Sequence, residues 1–142
     1  MPYDRLAVGF QSHVTARPYW FPSKSDLAAN FAKLAGMGVD AYITELDIQV
    51  ISNATVDARY QAAIWGDYLD TCLHASNCHE FLNWDTRDDE SWITSGFPTL
   101  FDTTGKPKLA AYEVQARFQR YITGKDELCA TSAGSAACKV TS

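Results

Sequence analysis

Two carboxylates stand two residues apart in Tyr42-Ile43-Thr44-Glu45-Leu46-Asp47-Ile48, an otherwise apolar run suited to a buried strand. Strand side chains alternate faces, so Glu45 and Asp47 should point one way and Leu46 and Ile48 the other. Burying one carboxylate is costly, and two on one face also repel each other. Such a pair is suited to nucleophilic or acid–base chemistry. The plainer account is a strand end whose acids reach solvent.

A second segment favours chemistry. Gly9-Phe10-Gln11-Ser12-His13 ends a run beginning near Leu6 that also reads as a strand, with Gln11 and His13 expected on one face. If the two strands are neighbours, an amide, an imidazole and two carboxylates converge. His13 can then give one ring N–H to Asp47 and turn its other nitrogen to Glu45, fixing the ring and helping to keep Glu45 ionised.

The elements that must position these groups can be read from periodicity. Between the strands lies Ser23-Lys24-Ser25-Asp26, followed by Leu27, Phe31 and Leu34 at helical spacing and then by Gly36 and Gly38. This predicts a helix capped near Ser25 or Asp26 and closed by glycine. Strand, helix and strand in that order imply a right-handed crossover and a parallel pair. A second helix is expected through Val56, Tyr60, Ile64, Tyr68 and Cys72, with Trp65 and Leu69 widening its buried stripe. Phe81-Leu82-Asn83-Trp84 reads as a third strand, and Pro107 as the start of a last helix with Leu109, Tyr112, Val114 and Phe118. The whole is βαβαβ plus a helix, an α/β chain with parallel strands.

The informative stretches all fall at strand C-terminal ends, where open α/β sheets and (β/α)₈ barrels place their chemistry. The third is Trp84-Asp85-Thr86-Arg87-Asp88-Asp89-Glu90-Ser91-Trp92. Two tryptophans flanking a polar, acidic loop offer flat faces for the apolar C–H faces of sugar rings and polar groups for hydroxyls. Burial of Trp84 in the core, with Trp92 anchoring the loop, is the structural alternative.

Together, Gln11-Ser12-His13, Ile43-Thr44-Glu45-Leu46-Asp47-Ile48 and Trp84…Asp88…Ser91-Trp92 resemble glycoside hydrolase family 10, the endo-1,4-β-xylanases. Leu100-Phe101-Asp102…Pro107-Lys108…Ala111-Tyr112 is similar to the family's closing loop and helix, and the resemblance runs from about Leu6 to Phe118. It implies that Glu45 is the catalytic nucleophile, that His13 and Asp47 support it, and that Gln11, Trp84 and Trp92 contact the sugar around the scissile bond. It also implies a cystine between Cys72 and Cys78, as in fungal members, and it calls for no metal or organic cofactor. The chain departs from the family in one place: Asp85 stands where a glycine usually follows the first tryptophan.

Retaining hydrolysis needs a second carboxyl group about 5–5.5 Å from the nucleophile. The family's acid/base glutamate lies in an Asn-Glu pair after the fourth barrel strand, and this sequence contains no Asn-Glu pair. Glu80, Glu90, Glu113 and Glu127 do not match that motif, and the spacing gives no reason to bring Asp88 or Glu90 to the site. A full barrel takes about 250 residues, and this chain has 142. Residues 1–122 are therefore expected to form barrel strands six to eight with their helices, about three βα units, and 123–142 a small polar tail or linker. The first five strands would be supplied elsewhere, and the chain alone is expected to be marginally stable, with exposed edges, and inactive.

The formal net charge of −5, with no Lys/Arg cluster, argues against nucleic-acid binding, and no apolar run approaches the roughly 18 residues needed to span a bilayer. The four cysteines fall into two close pairs, Cys72/Cys78 and Cys129/Cys138. Two local disulfides fit a secreted protein, as does the Asn53-Ala54-Thr55 glycosylation sequon. A zinc site at Cys72, His74, Cys78 and His79 is the competing reading, but its spacing fits no common structural pattern. No signal peptide precedes Leu6, which is expected of a chain whose N-terminal part is missing. The partner expected is xylan or xylo-oligosaccharide; the alternatives are a non-catalytic carbohydrate-binding remnant and another barrel glycosidase such as a cellulase.

Overall fold

The computed structural model describes residues 5–17, 20–52 and 54–125, with elements in the order β1 (Leu6–Phe10), β2 (His13–Thr15), α1 (Lys24–Gly36), β3 (Val39–Gln49), α2 (Thr55–His74), β4 (Cys78–Asn83) and α3 (Leu109–Ile122). Asn53, Cys129 and Cys138, and the tail from residue 126, lie outside the described residues.

β3 is the axis of the sheet. β1 runs parallel to it from Leu6↔Val39 to Phe10↔Ile43, and β2 resumes the pairing from His13↔Asp47 to Thr15↔Gln49. β4 pairs in parallel on the opposite side, from Ala41↔Cys78 to Leu46↔Asn83. The expected parallel βαβαβ order is present, and the sheet is open, with β1 and β4 at its edges. The single strand expected from Leu6 to His13 is instead two. Ser12 takes φ 63°, a left-handed conformation that breaks the ladder between them.

An extra residue in β3 decides which way its side chains face. Ile43 and Leu46 pair with Phe81 and Asn83, so β3 uses three steps where β4 uses two. Phe10 and His13, paired with Ile43 and Asp47, show the same surplus against the other neighbour. Such a bulge shifts the alternation by one position. Before it, odd-numbered Ala41 and Ile43 fill the core; after it, even-numbered Leu46, Ile48 and Val50 do. Glu45, Asp47 and Gln49 are thereby turned to the opposite face.

The helices cover the core face. Ser23, not Ser25 or Asp26, caps α1: its hydroxyl accepts from the Asp26 N–H while Asp26 returns a bond to the Ser23 N–H. Gly38, at φ 70°, supplies the left-handed residue that turns the chain into β3. α2 buries Ile64, Trp65, Tyr68, Leu69 and Cys72 as expected, whereas Val56 and Tyr60 in its first turns are exposed. α3 starts at Leu109, and Leu109, Tyr112 and Phe118 of its expected stripe are exposed; Ala110 is its fully buried residue. Buried Asp70 on α2 joins the helices, accepting from Lys24 of α1 at 3.0 Å and from Arg117 of α3.

Gln61 locks the far end of β3. Its buried amide donates to the carbonyls of Ile48 (2.6 Å) and Phe97 (2.5 Å). The 96–98 segment runs alongside, with Ile48 and Val50 N–H groups donating to Pro98 and Gly96 carbonyls. Only glycine fits at Gly96: φ is 90°, and a Cβ would lie 2.6 Å from the Val50 carbonyl oxygen.

Candidate active site

The bulge and the break at Ser12 place β2 beside the C-terminal end of β3, so that His13 pairs with Asp47 in register. His13 Nδ1 lies 2.9 Å from Asp47 Oδ2, and Nε2 lies 3.2 Å from Glu45 Oε2. An ionised carboxylate can only accept, so Nδ1 carries a proton. The ring's other nitrogen then faces the Glu45 carboxylate. The imidazole thus bridges the two carboxylates. Glu45 keeps about a quarter of its side-chain surface exposed, whereas Asp47 has none.

Asp47 is the anchor of this arrangement. Burial pushes its carboxyl above the usual carboxylate range; hydrogen bonds from Trp92 and His13 pull it down, and the Asp85 charge pushes it up. Its Oδ2 accepts both the His13 ring N–H and the Trp92 indole N–H, the latter at 2.8 Å, and its buried Oδ1 has no hydrogen-bond partner among the described residues.

Both tryptophans stand at His13. The Trp92 ring meets it edge-on at 4.9 Å between centroids and the Trp84 ring at 6.5 Å. Trp84, which follows β4, is held to β3 by its main-chain N–H on the Leu46 carbonyl at 3.0 Å. Neither is core: Trp84 is 43% and Trp92 58% exposed. The structure therefore brings Glu45, Asp47, His13, Trp84 and Trp92 together. Gln11 lines a groove with Phe10, Ser12, His13 and Trp20 and makes no side-chain hydrogen bond to the carboxylates. Trp20, 66% exposed and covered on one face by the Arg17 guanidinium at 5.4 Å, is a further aromatic of this groove that sequence reasoning missed. The only available signal was a tryptophan soon after a strand end.

The other acids of the tryptophan loop have separate duties. Asp88 accepts from the Thr99 N–H and hydroxyl and from Lys108 Nζ, tying the loop to the start of α3. Lys108 also donates to the Phe97 and Thr99 carbonyls, and burial pushes its amine below the usual lysine range. Glu90 pairs with Arg87 at 3.1 Å. Asp85 takes φ 62°, a conformation open to glycine and better tolerated by Asp than by most residues. The loop therefore keeps the backbone that a glycine would allow.

Cys72 and Cys78 are joined as a disulfide between α2 and β4, which leaves no thiolate at either position and removes the zinc reading. Among the described residues no cluster of three or more His, Cys, Asp or Glu is placed to hold a metal, and no helix is long and apolar enough to cross a membrane.

Comparison with known proteins agrees with this architecture. Residues 2–117 match the sequence profile described as "Glycosyl hydrolase family 10". Endo-1,4-beta-xylanase 5 of Pyricularia oryzae is 34% identical over 119 residues, covering 77% of this chain and 28% of its own. A glycosylated endo-beta-1,4-xylanase of Gloeophyllum trabeum superposes with a TM-score of 0.72 at 29% identity, over 79% of this chain and 36% of that one. Xylanase 10B of Thermotoga petrophila RKU-1, solved in complex with xylobiose, gives 0.73 at 25% identity, over 80% and 36%. The chain thus spans under a third of this curated relative and just over a third of these solved chains, and its open sheet is part of a (β/α)₈ barrel. On this profile match and these relatives, the chain belongs to glycoside hydrolase family 10, the family of the endo-1,4-β-xylanases.

Proposed function

We propose that this chain carries the nucleophile portion of a retaining endo-1,4-β-xylanase and needs a second portion of barrel to hydrolyse xylan. The observation that carries the reading is the imidazole of His13 held between buried Asp47 and half-buried Glu45. Glu45 attacks the anomeric carbon, the glycosidic C–O bond breaks, and the leaving oxygen takes the electron pair. His13, fixed by Asp47, stands against the Glu45 carboxylate and restrains it. Trp84, Trp92 and Gln11 contact the xylose rings. The leaving oxygen needs a proton, and no acid among the described residues is assigned to supply it: Asp88 serves Thr99 and Lys108, and Glu90 serves Arg87. The Cys72–Cys78 disulfide supports folding in an oxidising, secretory compartment. Residues 1–122 form the barrel portion and 123–142 a small polar tail or the start of a linker; glycosylation at Asn53 and a second disulfide between Cys129 and Cys138, all outside the described residues, are further parts of the proposal.

The test separates nucleophile from acid. A dinitrophenolate leaves without protonation, so a dinitrophenyl 2-fluoro-xylobioside needs only the nucleophile. The expected result is no turnover of xylan, but a covalent mass increment on Glu45 that is absent in Glu45→Ala. Turnover of xylan by the single chain would refute the need for a second portion. Xylobiose binding without any label on Glu45 would favour a purely carbohydrate-binding role, to which the exposure of Trp84 and Trp92 is also suited.

A further inference from the structure

We propose that Asp85 is a positioning residue that fastens Trp92 into the Asp47–His13–Glu45 chain. The conformation at this position, φ 62°, suits glycine, so the backbone alone gives no reason for a carboxylate here. Its side chain gives one. Asp85 Oδ2 accepts the Trp92 main-chain N–H at 3.1 Å, across seven residues of loop. The Asp85 carbonyl in turn accepts from the Asn83 side-chain amide at 2.6 Å, which fixes it to the last residue of β4. Asn83 is in register with Leu46, next to Glu45 on β3.

These contacts form a closed circuit. It runs from Asn83 to Asp85, from Asp85 to the Trp92 main chain, and from the Trp92 indole to Asp47 at 2.8 Å. The pairing of β4 with β3 completes it. A tryptophan more than half exposed has little packing to hold it, so the two ends of the circuit set its place: a main-chain bond behind and an indole bond in front. Glycine at 85 would leave only the indole bond. The proximity of Asp85 to Asp47, which raises the Asp47 carboxyl, agrees with this arrangement. The deduction deepens the glycosidase reading, since ordering Trp92 pre-forms one wall of the sugar site, and it rests on that reading only for this consequence.

The experiment compares the unmodified chain with Asp85→Gly and Asp85→Asn by ¹H–¹⁵N NMR, using the buried Trp65 indole as the reporter of intact folding. In Asp85→Gly, exchange of the Trp92 main-chain and indole protons should accelerate about tenfold, as expected for the loss of one hydrogen bond to a charged acceptor, while Trp65 stays unchanged. Asp85→Asn, which keeps an acceptor oxygen at the same reach, should restore slow exchange. Unchanged Trp92 exchange in Asp85→Gly overturns the proposal, and so does an Asp85→Asn variant that behaves like Asp85→Gly. Because these readouts need no sugar and no turnover, they stand or fall separately from the role of Glu45.

Discussion

Asp47→Asn should make the fold more stable at neutral pH while loosening the site. The replacement is nearly isosteric. The Asn oxygen can take the place of Oδ2 beneath His13 and Trp92, and its NH₂ the place of Oδ1, which has no partner among the described residues. Two hydrogen bonds change from charge-assisted, about 1.5–3 kcal/mol each, to neutral, about 0.5–1.5 kcal/mol each, a combined loss of roughly 2–3 kcal/mol. Against this, removing the ion abolishes a desolvation penalty of several kcal/mol for a carboxylate with no exposed surface. The raised Asp47 carboxyl decides which side wins, because burial outweighs the hydrogen bonds. A carboxyl raised on folding binds more protons folded than unfolded. Its stabilising contribution is complete below its unfolded pKa and is lost as pH rises through the folded one. Asp47→Asn lacks that loss. Thermal unfolding should therefore show Asp47→Asn ahead by about 1 kcal/mol at pH 7, roughly 3–5 °C in Tm, with the advantage vanishing toward pH 3. A variant that is destabilised at pH 7, increasingly so as pH rises, would refute the reasoning. It would mean that His13 and Trp92 more than repay the burial of the charge.

Gln61→Leu strips two buried carbonyls, Ile48 and Phe97, of their donor and should cost about 2–4 kcal/mol, seen as a fall of roughly 1–2 M in the urea midpoint. A shift within error would show that the 96–98 segment holds β3 without it. Replacing Cys72 and Cys78 together by alanine opens a loop of sequence separation 6 and should cost about 2 kcal/mol by the chain-entropy relation, measured by denaturation under non-reducing conditions. Trp84→Ala should weaken xylotriose binding roughly threefold to tenfold in calorimetry, while the far-UV circular dichroism is preserved because the ring is not core. Equal affinity would remove Trp84 from the proposed sugar site.

Much of the site was legible in the chain because it depends on short-range order. The alternation of Glu45, Leu46, Asp47 and Ile48 holds within β3 beyond the bulge, and parallel pairing of consecutive strands brings His13 to Asp47. The motifs also sufficed to indicate the family, since they retain residue types in a fixed order. What local pattern could not show was the extra residue in β3. Counting back from Asp47 in strict alternation puts Ile43 on the carboxylate face, yet Ile43 is fully buried in the core. A bulge leaves no mark in the hydrophobic run because both faces of β3 before it carry residues that tolerate burial. The loop acids were equally opaque. Asp85 and Asp88 look alike in sequence, but one ties Trp92 and the other ties Thr99 and Lys108. Their partners lie seven to twenty residues away, and only the closed tertiary path sets which donor reaches which oxygen. The sequence by itself determined the order of elements, the residue types at the strand ends and the family. Tertiary structure decided which face the carboxylates take and what holds them there, because register and loop closure are properties of paired strands and not of any one segment.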